Sequence, residues 1–335
     1  MILYRIAQSR IAGSSPPPDG RNIMTLFPQT ATRRTFLTSA MAFGAGAALS
    51  VSGIRAARTA PDTTGFAIAF DGNALIVGGE RPSRRGNSGA STPLRGPAGG
   101  NILSLATHKD RAGRIAAGLT EGGVALSEDG GLNWHSRNKG LPDAPVTAVT
   151  VATLSPDTWY ASVRGDGLWK SEDAGQSWVF AMDRPWLADA ERDLTALASV
   201  DLDTGMGGIW IYAGTEMGLT RVPDCFCRWQ DVQPGNAMDA LASGAAPAPE
   251  VPLPAGEPVH ALASAASLPV RLYAALTSGV WTSEDAGVVW AQCSATRAQA
   301  LAVHPENAHH VVAVFDDGLI QSRDAGMSWT ALANH

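Results

Sequence analysis

From residue 101 onwards, short apolar runs alternate with turns rich in Gly and Asp. Such runs are typical of β-strands, and no segment after residue 60 shows the 3.6-residue periodicity of a helix. The first run of each unit covers residues 102–106, 146–152, 194–200, 259–263 and 300–303. The second covers residues 114–117, 159–163, 209–214, 272–276 and 311–315. The pattern predicts an all-β protein built from repeated antiparallel sheets.

An eight-residue motif, Ser-x-Asp-x-Gly-x-x-Trp, follows the second run in four of these units. Its positions are Ser127, Asp129, Gly131 and Trp134; Ser171, Asp173, Gly175 and Trp178; Ser283, Asp285, Gly287 and Trp290; and Ser322, Asp324, Gly326 and Trp329. A fifth, degenerate copy keeps Asp224 and Trp229. In every copy a Gly stands four residues before the Ser position. We therefore expect a third strand to run into each motif and a fourth to begin at its Trp.

The residue types of the motif suit a self-contained turn. Asp and Ser oxygens accept hydrogen bonds from nearby backbone N–H groups, Gly permits positive φ, and Trp supplies a large apolar face. A calcium site is the weaker interpretation, because one carboxylate per turn is too few for a cation that takes six to eight oxygens. We expect no metal site in these turns.

These motifs resemble the Asp-box, or bacterial neuraminidase repeat, and the resemblance covers residues 101–335. It implies a β-propeller of four-stranded antiparallel blades. The Trp spacings of 44, 51, 61 and 39 residues compare with about 40–50 residues per blade, and the longest contains an Ala- and Pro-rich inserted loop at residues 234–258. Five blades are preferred. Six are the alternative, with runs at 66–70 and 75–77 starting the extra blade.

The N-terminal region is interpreted as an export signal rather than as part of the fold. Arg33 and Arg34 precede a weakly apolar stretch of residues 36–54, which resembles a twin-arginine signal and implies a periplasmic or extracellular location. A short helix or a membrane anchor is the alternative. The predicted organisation is a signal and preamble at 1–60, a hairpin and Gly/Pro-rich linker at 61–100, and the propeller at 101–335.

Composition narrows the classes of partner. Residues 1–60 hold seven Arg and one Asp, so the remainder carries 18 basic and 30 acidic side chains, a net charge of −12. That charge argues against nucleic-acid binding. Three Cys are too few for a disulfide scaffold, although export permits a bond from Cys225 or Cys227 to Cys293. A Cys-x-Cys metal site is the less favoured alternative. We expect no cofactor, because the sequence contains no motif typical of a cofactor site.

The loops on the propeller face opposite the motif turns are the candidate binding region. Acidic residues recur in these loops, together with Arg164. The longer connections between blades add three cationic or aromatic residues. The candidate binding residues are Glu121, Arg137, Arg164, Asp166, Arg184, Trp186, Glu216, Asp316 and Asp317, with Lys139 and Arg192 nearby. Exposed Arg and Trp are favoured at protein interfaces, whereas a ring of carboxylates would suit a cation or a basic partner. Ordinary turn chemistry and solvated loops are the alternative interpretation.

The resemblance also frames the choice between enzyme and binding protein. Sialidases with such repeats need an Arg triad and a Tyr nucleophile, yet Tyr160, Tyr212 and Tyr273 stand at one repeated position and are expected to pack. Non-catalytic propellers similar in repeat pattern, the photosystem II stability and assembly factor family and sortilin-type domains, bind polypeptides. We therefore expect an exported, non-catalytic propeller that binds a protein partner, as an assembly or stability factor does. A glycoside hydrolase or carbohydrate-binding propeller is the alternative, and a redox protein is a third.

Overall fold

The computed structural model describes residues 67–332, apart from 87–88, 188–189, 203–207, 235–239, 241 and 247. The expected export signal, with Arg33 and Arg34, lies outside the described residues. Among the described residues, no helix is both long and apolar enough to cross a membrane.

Six consecutive antiparallel sheets form the blades of a β-propeller. Blade one is β1 (Ile68–Asp71), β2 (Ala74–Val77), β3 (Ser83–Arg85) and β4 (Ser91–Pro93). Blade two is β5 (Ile102–Thr107), β6 (Ile115–Leu119), β7 (Val124–Ser127) and β8 (His135–Ser136). Blade three is β9 (Val146–Val151), β10 (Trp159–Val163), β11 (Gly167–Ser171) and β12 (Val179–Met182). A two-stranded hairpin follows, β13 (Trp186–Leu187) and β14 (Ala190–Glu191).

The remaining three blades follow the same order. Blade four is β15 (Leu194–Asp201), β16 (Ile209–Thr215) and β17 (Gly218–Pro223). Blade five is β18 (Val259–Ser264), β19 (Leu272–Leu276), β20 (Gly279–Ser283) and β21 (Trp290–Ser294). Blade six is β22 (Ala300–His304), β23 (Asn307–Phe315), β24 (Gly318–Ser322) and β25 (Thr330–Ala331). In blade four a single bridge between Arg221 and Gln230 stands where the others have a fourth strand.

The preference for five blades was wrong, and the six-bladed alternative is what the structure shows. The Gly- and Pro-rich stretch that we interpreted as a linker contains β3 and β4, which complete blade one. These strands are only three residues long and mostly polar or exposed, so they leave almost no hydrophobic pattern in the sequence. Inner strand β1 lies between β22 and β5, so the ring closes by packing and without strand exchange.

The second strand of each blade is sandwiched between its neighbours. In β6, β10 and β19 every residue is buried, because adjacent blades cover both faces of the sheet. A strand covered on both faces is a continuous apolar run rather than an alternating one. This is why these segments were recognisable from the sequence.

The repeated turns are closed by their own side chains. Ser322 Oγ accepts the N–H of Gly326 at 2.7 Å and donates to Asp324 Oδ1 at 2.7 Å, while Asp324 also accepts the N–H of Ser328 at 2.8 Å. The corresponding Ser, Asp and Gly residues make the same contacts in the three other intact copies. Each turn reverses through two residues with positive φ, the second being the motif Gly.

Trp and Tyr side chains join neighbouring blades. Four motif Trp indole N–H groups donate to a carbonyl in or just after the last strand of the preceding blade, in the pairs Trp134–Arg95, Trp178–Arg137, Trp229–Asp183 and Trp329–Cys293. The fifth, that of Trp290, donates to Gly287 in its own turn. The repeated Tyr hydroxyls donate to the following blade, in the pairs Tyr160–Asp224, Tyr212–Ala286 and Tyr273–Ala308. The three Tyr rings are fully buried. Packing, as expected, is their role.

The cysteines pair differently from our expectation. Cys225 and Cys227 form a disulfide within the degenerate turn, with Cα atoms 5.5 Å apart, and Cys293 is a free thiol. The bond from either residue to Cys293 was therefore wrong. Phe226, between the paired cysteines, has a φ of 50°, so this turn also uses a left-handed residue although it lacks the motif Gly. The disulfide closes a turn that Ser and Gly close in the intact copies.

Candidate functional site

The propeller has two faces with different loops. We call the face with the Ser-x-Asp turns the box face, and the opposite one the loop face. The turns between second and third strands lie on the loop face and carry six of the candidate residues, Glu121, Arg164, Asp166, Glu216, Asp316 and Asp317. All six are exposed except Asp166, which is half-buried. Sequence reasoning therefore placed these residues on an accessible surface.

The carboxylates of these turns serve their own blades and do not converge. Asp166 accepts the indole N–H of Trp169 at 2.6 Å, and Asp316 accepts the amide N–H of Gln299 at 2.8 Å. Across the described part of the chain, no three His, Cys, Asp or Glu side chains are close enough to hold a metal ion. The acidic loops thus do not assemble a cation site in the residues described.

The structure does gather candidate residues around the β13–β14 hairpin. Arg184, just before the hairpin, pairs with Glu191 at 2.5 Å and with Asp193 at 3.3 Å. Asp193 also accepts the N–H of Gly165, at 2.9 Å, in the turn that holds Arg164 and Asp166. This network ties the hairpin to the second turn of blade three.

Trp186 is held at the surface by this network. In β13 it pairs with Glu191 of β14, and 68% of its surface is exposed. Trp buries 150–250 Å² when covered, so an exposed indole on a braced hairpin is an unfilled contact rather than part of the core. The ion pairs join the residues before and after the hairpin that carries the ring.

Exposed apolar side chains continue along the outer strand of the same blade. In β12, Val179 is 63% exposed and Phe180 is 48% exposed. Phe180 packs edge-on against Trp169 at 5.6 Å, and Trp169 is bonded to Asp166. We call the surface formed by Arg164, Asp166, Phe180, Arg184 and Trp186 the Trp186 patch. It combines apolar rings with charged side chains of both signs, as interface surfaces do.

Two of the cationic candidates lie elsewhere. The carbonyl of Arg137 accepts the indole N–H of Trp178, and the carbonyl of Lys139 accepts its backbone N–H, so both residues lie against the repeat turn of blade three. Arg192 closes the base of the hairpin through its N–H to the carbonyl of Pro185. Glu121, Arg137, Glu216, Asp316 and Asp317 are therefore on other blades or at the perimeter and do not join the Trp186 patch.

Two features were not predicted from the sequence: the acidic residues that hold Arg184, and the contacts of the degenerate turn with the preceding blade. Glu191 and Asp193 gave no signal, because a hairpin of two-residue strands is too short to show a pattern. Asp224 accepts hydrogen bonds from Tyr160 at 2.7 Å and from Lys170 at 3.1 Å rather than from its own turn. Burial, together with Asp224, raises the pKa of Tyr160 well above its ordinary value, so this hydroxyl stays a donor.

Comparison with known proteins supports the fold. The chain is similar to the GH74 xyloglucanase of Xanthomonas campestris, with 19% identity, a TM-score of 0.50, and coverage of 78% of this chain and 45% of that one. It is also similar to the extracellular domain of BT4673, a two-component system protein of B. thetaiotaomicron, with 12% identity, a TM-score of 0.50, and coverage of 77% and 32%. A structure of YCF48 bound to D1 peptide has 13% identity, a TM-score of 0.46, and coverage of 76% and 77%.

These similarities show a β-propeller and nothing finer. The chain spans less than half the length of the xyloglucanase that it resembles. No family model matches the sequence. No curated protein matches it either. At 19% identity or less, these similarities favour no particular function.

Proposed function

We propose that this protein is an exported, non-catalytic β-propeller whose Trp186 patch docks a protein partner, as an assembly or stability factor would. The observation that carries the proposal is Trp186, a 68% exposed indole on a hairpin held by the ion pairs of Arg184 with Glu191 and Asp193. Trp and Arg are the residues most enriched among those that dominate binding energy. A hairpin already held in place loses less conformational entropy when its exposed residue is covered.

The Ser-x-Asp turns are, in this proposal, Asp-boxes that build the scaffold and do not take part in binding. The export route is part of the same proposal, since Arg33 and Arg34 resemble a twin-arginine signal. Replacing both by Lys should leave the protein in the cytoplasm, as measured by cell fractionation. Equal periplasmic amounts of variant and wild type would contradict the export route and leave the docking proposal standing.

A carbohydrate ligand is the second candidate, because an exposed indole also stacks on sugar rings. The buried Tyr residues weigh against a sialidase-type enzyme. Tyr212 and Tyr273 are fully buried and their hydroxyls donate to carbonyls of the next blade, so neither hydroxyl can reach a substrate. A carbohydrate-related function would then be binding of a sugar at the surface, or hydrolysis by a pair of carboxylates.

The test is affinity capture of partners from periplasm and membranes by the tagged protein, read by mass spectrometry. Trp186→Ala and Arg184→Gln should each lose the captured partner. Met327→Ala is the matched control, because Met327 is an apolar side chain 83% exposed in a repeat turn on the box face. A partner captured equally by all three variants would refute docking at the Trp186 patch. Absence of any captured protein, with Trp186-dependent signals on a glycan array, would favour the carbohydrate alternative.

A further inference from the structure

The seam between blade six and blade one contains a cavity that opens on the box face. Its volume is about 680 Å³, within the ~300–1,000 Å³ typical of small-molecule pockets. The residues that matter for its chemistry are Phe70, Arg85, His304, His310, Val312 and Arg323. It is on the opposite face from the Trp186 patch, so the two sites are independent.

The cavity exists because this seam lacks both of the side chains that join other blades. In the second strand of blades three, four and five, a Tyr pairs with the residue that precedes the motif Ser position, but blade six has Val312 there. In blade one the turn from the third to the fourth strand, residues 86–90, is short and contains no Trp. The space that a Tyr ring and an indole would fill is therefore left open.

Flat rings form one wall of the cavity. The imidazoles of His304 and His310 stack with centroids 5.5 Å apart and an angle of 17° between planes. The Phe70 ring lies 5.1 Å from His304 and 5.3 Å from His310. Val312 and two leucines add apolar surface. This wall suits a planar apolar body.

Hydrogen bonds fix the two imidazoles in place. His304 Nδ1 accepts the N–H of Glu306 at 3.2 Å, so its Nε2 carries the proton and donates to Asn73 Oδ1 at 2.8 Å. His310 Nε2 lies 3.1 Å from Gln321 Oε1. Burial, aided by Arg323, lowers the pKa of both His, so both rings are neutral at pH 7. The stacked wall is thus preformed and uncharged.

The charge of the cavity comes from arginine. Arg85 and Arg323 line it, and no Asp or Glu is among its described lining residues. Glu306, an exposed residue two positions after His304, opposes the lowering of the His304 pKa. A cationic pocket is unusual in a chain whose net charge is −6. Guanidinium groups match the planar oxygens of a carboxylate.

We infer that this seam cavity binds a small organic anion, whose apolar ring lies against Phe70 and the stacked imidazoles and whose carboxylate pairs with Arg323. The ligand needs an apolar ring to cover the aromatic wall and an anionic group to match the arginine lining. A bare oxyanion would leave the aromatic wall uncovered, and a cation with the same ring would be repelled by the arginines.

The test uses benzoate as the probe and follows the imidazole resonances of ¹⁵N-histidine-labelled protein by NMR. Benzylammonium is the matched control, having the same ring with the opposite charge, and inorganic phosphate is the control for a bare anion. A fragment this small is expected to bind in the millimolar range. We expect benzoate to shift His304 and His310 in a saturable way, and the two controls to bind at least about tenfold more weakly.

Two variants test the location. Arg323→Gln should weaken benzoate binding about tenfold or more, whereas Arg111→Gln, the same change at an exposed Arg of blade two, should leave it unaltered. Val312→Tyr installs the ring that blades three, four and five have at this position and should abolish binding. If Val312→Tyr does not fold, Arg323→Gln decides alone.

Three outcomes would overturn the inference. No saturable shift of either imidazole up to high millimolar benzoate would exclude the site. Equal affinity for phosphate or benzylammonium would exclude the organic anion as its ligand. Equal weakening by Arg323→Gln and Arg111→Gln would show that benzoate responds to net charge and not to this cavity.

Discussion

The buried Ser of each repeat turn is expected to be a large contributor to stability for its size. Ser322 is 1% exposed, and its Oγ is the acceptor for the Gly326 N–H at 2.7 Å in a buried setting. Ser322→Ala removes only one oxygen atom. The Gly326 N–H is then left in the interior without a partner and without access to water.

The size of the effect follows from that unpaired group. An unsatisfied buried N–H costs about 1–3 kcal/mol. Loss of the Ser322 bond to Asp324 adds little, because that carboxylate is at the surface and keeps the Ser328 N–H and hydroxyl. We therefore expect Ser322→Ala to lower the free energy of unfolding by about 2 kcal/mol. At roughly 2–4 °C per kcal/mol, Tm should fall by about 4–8 °C.

The assay is thermal and urea unfolding of Ser127→Ala, Ser171→Ala, Ser283→Ala and Ser322→Ala, because the same contact is present in all four turns. Ser136→Ala is the matched control, since Ser136 is exposed in β8 and should change the free energy of unfolding by less than about 0.5 kcal/mol. If the four motif variants were as stable as this control, the turns would not depend on the Ser hydroxyl and the argument would be refuted.

Four further predictions follow from the same contacts. Tyr273→Phe should lower the free energy of unfolding by about 1–3 kcal/mol in urea titrations, because the buried Ala308 carbonyl loses its donor; no change would contradict a joining role for this Tyr. Ala325→Gly should raise Tm by relieving a φ of 63°, worth up to about 1 kcal/mol, whereas Gly326→Ala, whose new Cβ would lie 2.7 Å from Cys293 Sγ, should lower it. Thiol labelling of the denatured protein should find one reactive cysteine without reductant and three with it, and native Cys293 should react slowly because burial raises its pKa to about 11; two or more thiols without reductant would exclude the Cys225–Cys227 bond. Hydrogen bonds from Asn133 and Ser328 lower the pKa of Asp129 and Asp324 to about 2 from 3.8, so their stabilisation is complete above about pH 4 and is lost as the pH falls toward 2; a Tm that does not fall over this range would contradict it.

The repeated part of the fold could be predicted from the sequence because the same strand and turn contacts recur in several blades and require the same residue types each time. Strands β10 and β19 are buried on both faces and therefore appear as continuous apolar runs. The repeat turns appear as spaced Ser, Asp, Gly and Trp because each of these residues has a defined role in closing or anchoring the turn. Four copies of such a pattern outweigh the uncertainty of any single segment.

The departures from the repeat could not be predicted in the same way. Blade one lacks the motif and ends in β3 and β4, whose side chains are half-buried or exposed, so neither strand gives a hydrophobic pattern. The disulfide depended on a left-handed Phe226 that brings Cys225 and Cys227 together, which residue spacing alone does not show. The position of Arg184 depends on Asp193, whose carboxylate accepts the N–H of Gly165 in the turn between β10 and β11. Tertiary structure sets that contact, and residue spacing does not show it.

Residues that recur in several blades can be assigned to the scaffold of this propeller, and features that occur once are candidates for function. A residue that recurs in blade after blade, such as Tyr212 or Trp329, is explained by the seam that it joins. Two features have no such explanation in the described residues: the β13–β14 hairpin that presents Trp186, and the open seam where Val312 replaces Tyr. Covering the indole and filling the cavity would each bury apolar surface, so folding stability alone does not explain either feature. Ligands that cover the first and occupy the second would supply the missing contacts, one on each face of the ring.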